Sequence, residues 1–154
     1  MSKFTIRNED YAARTRASFT RQQFMETLGA RITELDAGFC ELQLPYAKNL
    51  TQQHGYFHGG VIGTLADNAG GYAAFTLLKP ADSILTIEYK LNIMAPANGE
   101  LLIARGQVLR PGRRVTVAHT DLFSVKDGIE THCATSLATL MVLADTPDDP
   151  TKET

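Results

Sequence analysis

The chain has no tryptophan, only two cysteines and no long apolar run. Cys40 and Cys133 lie far apart, without the spacing of a zinc or redox motif, so we expect two reduced, buried thiols. No apolar stretch approaches the roughly 18 residues that span a bilayer, and the N-terminus lacks the apolar core of a signal peptide. The sequence therefore predicts a cytoplasmic protein without a membrane partner.

Charge and missing motifs argue against further classes of protein. The net charge is −2, which gives no electrostatic reason to expect a nucleic acid as partner. A phosphate-binding loop, a dinucleotide fingerprint and the Gly-x-Ser-x-Gly elbow of many hydrolases are all absent. The four histidines have no metal-ligand spacing. We therefore expect neither a cofactor nor a metal ion.

Length and composition indicate one domain. The 154 residues are 44% hydrophobic and 21% charged, which is enough apolar material for one core. We expect this domain to comprise residues 19–144. Residues 1–18 are polar and predict at most a loosely attached helix, and the acidic, proline-bearing residues 145–154 predict a disordered tail.

The hydrophobic pattern predicts two helices among six strands. Thr20 and Gln23 have the spacing of a capping box, which predicts a helix over residues 20–28 that ends at Gly29. A longer helix, over roughly residues 59–78, ends before a proline. Strands are expected at residues 30–36, 39–44, 83–93, 101–109, 115–125 and 131–143. This order predicts an α+β fold in which a curved antiparallel sheet wraps around the long helix.

Residues 83–93 show the clearest alternation of apolar and polar side chains. The apolar positions are Leu85, Ile87, Tyr89, Leu91 and Ile93. A period of two is typical of a strand with one buried face. We therefore expect a half-buried strand whose odd positions face the core.

The long helix contains residues that helices disfavour. Gly63, Gly70 and Gly71 lie in its body, and each costs about 0.5–1 kcal/mol relative to alanine. Small residues let another backbone approach closely, so we expect the sheet to pack against the helix there. Asp67 is the one carboxylate in this apolar segment, and a buried charge is costly unless it is paired or functional.

Asp67 is thus the first candidate for chemistry, although a helix-surface carboxylate and a structural ion pair with a lysine are alternative interpretations. Gly59 and Gly60 open the helix, where unpaired N–H groups and the positive end of the helix dipole suit a developing oxyanion. Gln52, in the preceding loop, could orient a carbonyl group or a water molecule.

The separation of these groups along the helix limits how they can act. Gly59 and Asp67 are eight residues apart, which is about 12 Å along the helix axis. One carbonyl carbon cannot touch both within one chain. Either the two residues act at different places, or the start of one chain's helix meets Asp67 of another. The second alternative predicts a two-fold dimer with two equivalent sites.

Other polar residues have plain structural interpretations. His58 precedes the helix, and we favour a capping or packing role over acid–base chemistry. His119 and Asp121 share one strand face, but no nucleophile pattern accompanies them, so a hydrolase triad is not expected. Arg113 and Arg114 follow a Pro-Gly turn, and they form either a solvated hairpin end or a clamp for phosphate groups.

Together these residues resemble the acyl-CoA thioesterases of the hotdog superfamily, in particular its PaaI-like branch. The matching segment is Gln52-x-x-Gly55-x-x-His58-Gly59-Gly60-x-x-x-x-Leu65-Ala66-Asp67-Asn68. The resemblance continues through Asn92-x-x-x-Pro96 and the Gly112-Arg113 turn, and it covers roughly residues 28–143. It implies a hotdog fold, which agrees with the architecture expected from the pattern of elements.

The resemblance also implies roles for individual residues. Asp67 would be the nucleophile or the general base, and the Gly59 amide would polarise the thioester carbonyl. His58 would support the site. Gln52 would orient the water or the carbonyl, and it stands where many relatives carry Asn. The residues expected to contact substrate are Gly60, Asn68, Thr86, Arg113 and Arg114.

The expected reaction is hydrolysis of an acyl-CoA thioester to a carboxylic acid and CoA. The resemblance implies homodimers, usually paired into homotetramers, with CoA lying across subunit boundaries. A non-catalytic module of the same fold that binds or senses acyl-CoA is the alternative, and Asp67 argues against it. A hotdog dehydratase would need a His-Asp or His-Glu pair for proton transfer at carbon, and we find no such signature.

Overall fold

Three helices and a six-stranded antiparallel sheet make up the computed structural model, which describes residues 4–151. The helices are α1 (Tyr11–Thr20), α2 (Gln23–Leu28) and α3 (Gly59–Phe75). The strands are β1 (Arg31–Asp36), β2 (Phe39–Pro45), β3 (Ser83–Ile93), β4 (Leu101–Arg110), β5 (Val115–Lys126) and β6 (Ile129–Leu143), and a 3₁₀ turn spans Lys48–Leu50. The predicted α+β architecture is confirmed.

The strand order places two strands at the free edges of the sheet. The order is β1-β2-β4-β5-β6-β3, so β1 and β3 each have one unpaired side within the chain. The helix α3 lies against the five strands from β2 to β3 in this order. Left-handed backbone at Gly38 (φ 81°) and at Asp127 and Gly128 (φ 52° and 75°) closes two hairpins, as their turn sequences predict.

Close approach between α3 and the sheet explains part of the glycine pattern. A Cβ atom on Gly106 of β4 would lie 2.2 Å from the backbone of Ala69, and one on Gly70 would lie 3.1 Å from Thr120 Oγ1. Strand and helix backbones therefore touch near Gly70, as expected. At Gly71 the nearest atom would be 3.8 Å away, an ordinary contact, so the close-approach explanation is wrong for that glycine.

The helix α3 ends three residues earlier than predicted, at Phe75 rather than residue 78. Thr76 Oγ1 donates to Ala73 O at 2.6 Å and accepts from Gly38 N at 2.8 Å. The turn between β1 and β2 therefore docks on the end of the helix, a tertiary contact that local sequence does not reveal. Neither α3 nor any other helix among residues 4–151 is long and apolar enough to cross a membrane.

The N-terminal segment is more firmly attached than expected. In α1, Thr15, Ser18 and Phe19 are buried, and the Phe19 ring packs edge-on against Tyr72 with 5.5 Å between ring centroids. The sequence prediction of a loose helix rested on the polar composition of this segment. That prediction missed that a small number of large apolar side chains can attach a polar helix when they pack against the core. Residues 1–3 lie outside the described residues.

The predicted capping box at Thr20 is wrong. Thr20 is the last residue of α1, and its Oγ1 donates to Arg16 O at 2.9 Å instead of capping a new helix. The second helix, α2, begins at Gln23 and is followed by Gly29 in the left-handed conformation (φ 82°), as predicted. Threonine in a last turn bonds back to its own helix as readily as it caps the next one.

The C-terminal segment also differs from the prediction of disorder. Residues 145–151 form turns against the body of the chain. Asp145 N donates to Asp82 Oδ1 at 3.1 Å, and Asp148 forms an ion pair with Arg21. Residues 152–154 lie outside the described residues. The domain boundaries at residues 19 and 144 stay a prediction.

The edge strand β3 is only partly what its alternation predicted. A bulge between Thr86 and Glu88 changes which positions face α3, so Leu85 and Ile87 are 61% and 52% exposed. The prediction of one buried odd face is therefore wrong for this half of the strand. Tyr89, on the far side of the bulge, does approach α3 and is still 42% exposed.

Candidate active site

Asp67 and Thr86 form the centre of the candidate site. Asp67 lies halfway along α3 and is half-buried, and Thr86 Oγ1 on β3 donates to Asp67 Oδ1 at 2.7 Å. Among residues 4–151, no other group donates to this carboxylate and no basic side chain pairs with it. Residues 4–151 therefore supply no partner for the alternative of a structural ion pair. One carboxylate oxygen is held by Thr86, and the other is available for chemistry.

The first turn of α3 leaves one amide unused. His58 Nδ1 accepts from Gly60 N at 2.9 Å, which confirms the capping role favoured for His58. Val61 N and Ile62 N both donate to His58 O. Gly59 N–H has no acceptor in the described part of the chain. Since the helix dipole is positive at this end, Gly59 N–H is suited to an anionic oxygen.

Gln52 organises the loop that precedes α3. Its Oε1 accepts from His54 N, and its backbone O accepts from Gly55 N at 3.0 Å. Gly55 has φ 82°, so a side chain there would be strained. The side-chain oxygen of Gln52 is thus occupied by the turn, and its NH₂ group is the part that remains for a carbonyl or a water molecule.

A cavity of about 610 Å³ opens beside Asp67. Its walls combine the aromatic side chains of Tyr72 and Phe75 with the aliphatic side chains of Ile84 and Leu140. Burial raises the pKa of Tyr72, so its phenol stays protonated at neutral pH. An apolar cavity with a few polar groups is typical of a small-molecule site.

Asn68 lies in the same wall and carries an unsatisfied acceptor. Its Nδ2 donates to Thr64 O at 3.2 Å, but its buried Oδ1 has no hydrogen-bond partner within residues 4–151. Buried oxygens without a partner are uncommon in folded proteins. A substrate N–H or O–H in the cavity would satisfy it, which agrees with the substrate contact expected at Asn68.

The structure does not bring Arg113 and Arg114 into this cavity. Val115 pairs with Met141 and Met141 with Leu85, so the turn before β5 lies at the same end of the sheet as Thr86 but two strands away. Both arginines are exposed, and neither forms an ion pair with a described residue. The solvated hairpin and the phosphate clamp both remain compatible with this position.

Sequence reasoning missed the wall of the cavity that comes from the chain ends. Ser18, Arg21 and Gln22 line it from the N-terminal side and Asp148 from the C-terminal side. Gln22 Nε2 donates to Tyr72 Oη at 2.9 Å. Residues this far apart in sequence show no shared pattern, so nothing in the sequence predicted that they meet.

The histidines outside the helix start lie away from the cavity. His132 Nε2 is 2.9 Å and His119 Nε2 is 3.4 Å from Asp121 Oδ1. On β5 these positions alternate with the buried Thr120 and Leu122, so the cluster is on the face of the sheet opposite α3. In the described part of the chain, no group of three or more His, Cys, Asp or Glu residues could hold a metal ion.

With this geometry, comparison with known proteins assigns the family. A family model described as the thioesterase superfamily matches residues 54–131, which include the start of α3, Asp67 and Thr86. The chain belongs to the thioesterase superfamily. Its enzymes hydrolyse thioester bonds, and the expectation of a hydrolase is confirmed at this level.

Individual relatives support the same assignment. A thioesterase family protein from Silicibacter pomeroyi has a similar structure, with TM-score 0.86 and 48% identity over 87% of this chain and 98% of its own. The PaaI protein of E. coli matches with TM-score 0.80 over 92% and 99% of the two chains, and at 20% identity it supports the fold alone. The hotdog fold is confirmed.

One curated relative is named for a CoA ester. The 1,4-dihydroxy-2-naphthoyl-CoA hydrolase of Listeria monocytogenes is 28% identical over 60% of this chain and 75% of its own length. Its name concerns that enzyme.

Proposed function

We propose that the protein hydrolyses acyl-CoA thioesters to a carboxylic acid and CoA. Asp67 of one subunit and the Gly59 N–H of its partner act on the same thioester carbonyl. The observation that carries this proposal is the Asp67 carboxylate, held through one oxygen by Thr86 beside a cavity of about 610 Å³. The cavity binds the acyl group, and the Asp67 oxygen that Thr86 does not hold serves as the base or the nucleophile in the attack on the thioester carbonyl.

In the general-base route, the Asp67 carboxylate removes a proton from water. The water oxygen attacks the carbonyl carbon, and the negative charge on the carbonyl oxygen is stabilised by the Gly59 N–H. The C–S bond then breaks, and the CoA thiolate takes up a proton. One water molecule is consumed, and one acid and one thiol are released.

In the nucleophilic route, an oxygen of Asp67 attacks the carbonyl carbon directly. The C–S bond breaks, CoA leaves as the thiolate, and a mixed anhydride with Asp67 remains. Water then attacks the Asp67 carboxyl carbon of the anhydride, which releases the acid with one oxygen from Asp67 and restores the carboxylate. The overall balance is the same, so only the origin of the new oxygen atom in the acid separates the two routes.

Pairing of the edge strand β3 with its copy in a second subunit would complete one site from two chains. Asp67 is bonded to Thr86 near one end of β3, whereas a Cβ on Gly59 would lie 3.5 Å from Ile93 at the other end. If two copies of β3 pair antiparallel about a two-fold axis, Thr86 can lie opposite the partner subunit's Ile93. The start of the partner's α3 then reaches Asp67, which removes the 12 Å difficulty.

Arg113 and Arg114 are exposed at the Thr86 end of the sheet and suit the phosphate groups of CoA. The homodimer pairs into a homotetramer, and the enzyme acts in the cytoplasm.

A panel of acyl-CoAs with a thiol reagent tests the proposal. We expect turnover by the wild type and a loss of at least about 100-fold in kcat for Asp67→Asn and Asp67→Ala, since both remove the base or nucleophile. Asp127→Asn is the matched control, because this exposed turn carboxylate lies far from the cavity and Asn tolerates its left-handed backbone. Turnover that survives both Asp67 substitutions would contradict the proposal. Binding of CoA esters without any turnover would favour the sensing module instead.

A single-turnover reaction in ¹⁸O-labelled water separates the two routes. With enzyme in excess over substrate, direct attack by water puts label into the product acid. Attack by Asp67 puts unlabelled enzyme oxygen into the acid and leaves label on the Asp67 carboxylate, where mass spectrometry of the active-site peptide detects it.

A further inference from the structure

Two cavities lie on either side of the C-terminal segment. The first is the cavity beside Asp67, and the second, of about 590 Å³, lies between α1 and the segment after β6. Arg21, Asp148 and Asp149 line both cavities. These shared residues therefore stand between the two spaces.

The shared wall is held by polar contacts. Arg21 forms an ion pair with Asp148, which also accepts a hydrogen bond from Ser83 Oγ at 3.4 Å. Further along the segment, Asp145 N donates to Asp82 Oδ1. Arg21 is 39% exposed and Asp148 19% exposed in their side chains, and ion pairs that keep contact with water contribute little to folding stability. The wall can therefore be altered without loss of the fold.

We propose that the Arg21–Asp148 ion pair is the wall that limits the length of the acyl chain accepted beside Asp67. This inference rests on the proposed acyl-CoA hydrolysis. An acyl chain whose carbonyl lies at Asp67 extends along Tyr72 and Phe75 toward the ion pair. A chain that is too long must push its methyl end against two charges and strip them of water, which is unfavourable.

Removing one member of the pair joins the two spaces. The second cavity offers apolar surface from Ala17, Pro80 and Pro147. Each additional methylene group that leaves water tightens binding about fourfold. In such a variant, kcat/KM should therefore rise for the long acyl chains that the wild type rejects. For short chains that never reach the wall, kcat/KM should stay the same.

The test measures kcat/KM for saturated acyl-CoAs from acetyl to palmitoyl. We expect the wild type to show an optimum length, and Arg21→Ala and Asp148→Ala to move it to longer chains. Two extra buried methylenes should raise the long-to-short ratio of kcat/KM by roughly tenfold or more. The charge-swapped double variant Arg21→Asp with Asp148→Arg should restore the wild-type profile. Arg31→Ala, which removes an exposed arginine of β1, should change nothing.

The outcomes separate this inference from the proposed function. If the wild type turns over acyl-CoAs and both single variants show the same dependence of kcat/KM on chain length, the ion pair does not limit chain length. The hydrolase proposal then remains intact. Absence of turnover with every acyl-CoA overturns the hydrolase proposal. In that event, calorimetric titration with free fatty acids of the same lengths tests the wall alone. If Arg21→Ala binds longer fatty acids than the wild type does, the result supports the wall. If the longest fatty acid that binds is the same in both, the result overturns it.

Discussion

The two edges of the sheet are built in opposite ways. The edge strand β1 has six residues, three of them charged (Arg31, Glu34 and Asp36), and Arg16 of α1 donates to Ile32 O at 3.2 Å. The edge strand β3 has eleven residues, and its exposed apolar side chains are Leu85, Ile87, Tyr89 and Ile93. Short, charged and covered edges resist pairing with another chain, whereas long apolar edges favour it.

The difference separates structural from functional roles in the molecule. The candidate carboxylate Asp67 is bonded to β3, the edge left open, and no candidate site residue lies on β1. We infer that β1 closes the sheet and that β3 is reserved for a second copy of the chain.

A charge placed on the open edge should have the largest effect. Ile87 sits in the bulge of β3 and is 52% exposed. In Ile87→Lys, pairing of two β3 strands would have to take an ammonium group of each copy out of water, which is unfavourable. We expect monomers in sedimentation and a loss of at least about 100-fold in kcat, since one oxyanion donor alone is worth about that much.

Ile129→Lys is the matched control for this variant. Ile129 is 69% exposed at the hairpin between β5 and β6, away from the β3 edge. It should keep the oligomeric state and activity of the wild type. A monomeric wild type with full activity would refute the role given to the open edge.

Loss of the hydrogen bond from Thr86 of β3 to Asp67 of α3 should have an intermediate effect on kcat. Thr86→Val keeps the shape of the side chain but removes the donor to Asp67 Oδ1. Hydrogen bonds to charged groups are worth roughly 1.5–3 kcal/mol, so kcat should fall about tenfold or more while KM changes little. Thr86→Ser should restore most of the rate. Equal kcat in Thr86→Val and the wild type would show that Asp67 needs no such support.

On the face of the sheet opposite α3, charged side chains should affect stability and leave the chemistry unchanged. Arg105 Nε donates to Glu41 at 2.9 Å, and its terminal nitrogens donate to Glu130 at 2.7 Å. The hydrogen bonds from Arg105 lower the pKa of Glu130. Burial raises the pKa of Glu41, but hydrogen bonds from Thr33, Arg105 and Gln43 outweigh it and the net shift is downward.

A lowered carboxyl pKa in the folded state gives stability above the ordinary value of 4.5 that is lost as the pH falls below it. In Arg105→Met this pH dependence should be weaker, and the free energy of unfolding at neutral pH should fall by about 2 kcal/mol because the buried Glu41 carboxylate loses its hydrogen bond from the guanidinium group. Urea unfolding at several pH values measures both. Turnover by the folded variant should match that of the wild type. A large loss of kcat would contradict the separation of structural from functional regions in the sheet.

Local sequence patterns predicted most of the elements and the centre of the site. Alternation located the strands, and Asp67 stood out because it was one charge in an apolar, small-residue helix. Thr86 was named as a site residue only through the family resemblance. These features depend on residues close in sequence or on a shared motif, and they can therefore be predicted from the sequence.

The features that were missed depend on tertiary contacts. The bulge at Ile87 redirects the alternation of β3, and no residue type marks it. The packing of Phe19 on Tyr72 attaches a helix whose composition is polar. The pairing of Arg21 with Asp148 joins segments 127 residues apart, and a charge of either sign at a chain end predicts no particular partner.

Gly59→Pro provides a way to remove the proposed oxyanion donor alone. Gly59 is the first residue of α3, a position where proline is favoured because its N–H is not needed by the helix. The preceding His58 has φ −62° and ψ 140°, which a following proline accepts. We expect this variant to fold and to lose about 100- to 1,000-fold in kcat, whereas Gly59→Ala, which keeps the N–H, should fold and retain more activity.

Mixing Gly59→Pro chains with Asp67→Asn chains tests the composite site most directly. Each variant alone should be nearly inactive. If Asp67 of one subunit works with Gly59 of its partner, half of the randomly mixed dimers carry one intact site, and activity should recover to about one quarter of the wild-type value. If both residues of a site come from the same chain, no mixed dimer has an intact site. Mixed dimers that form but remain inactive would contradict the account.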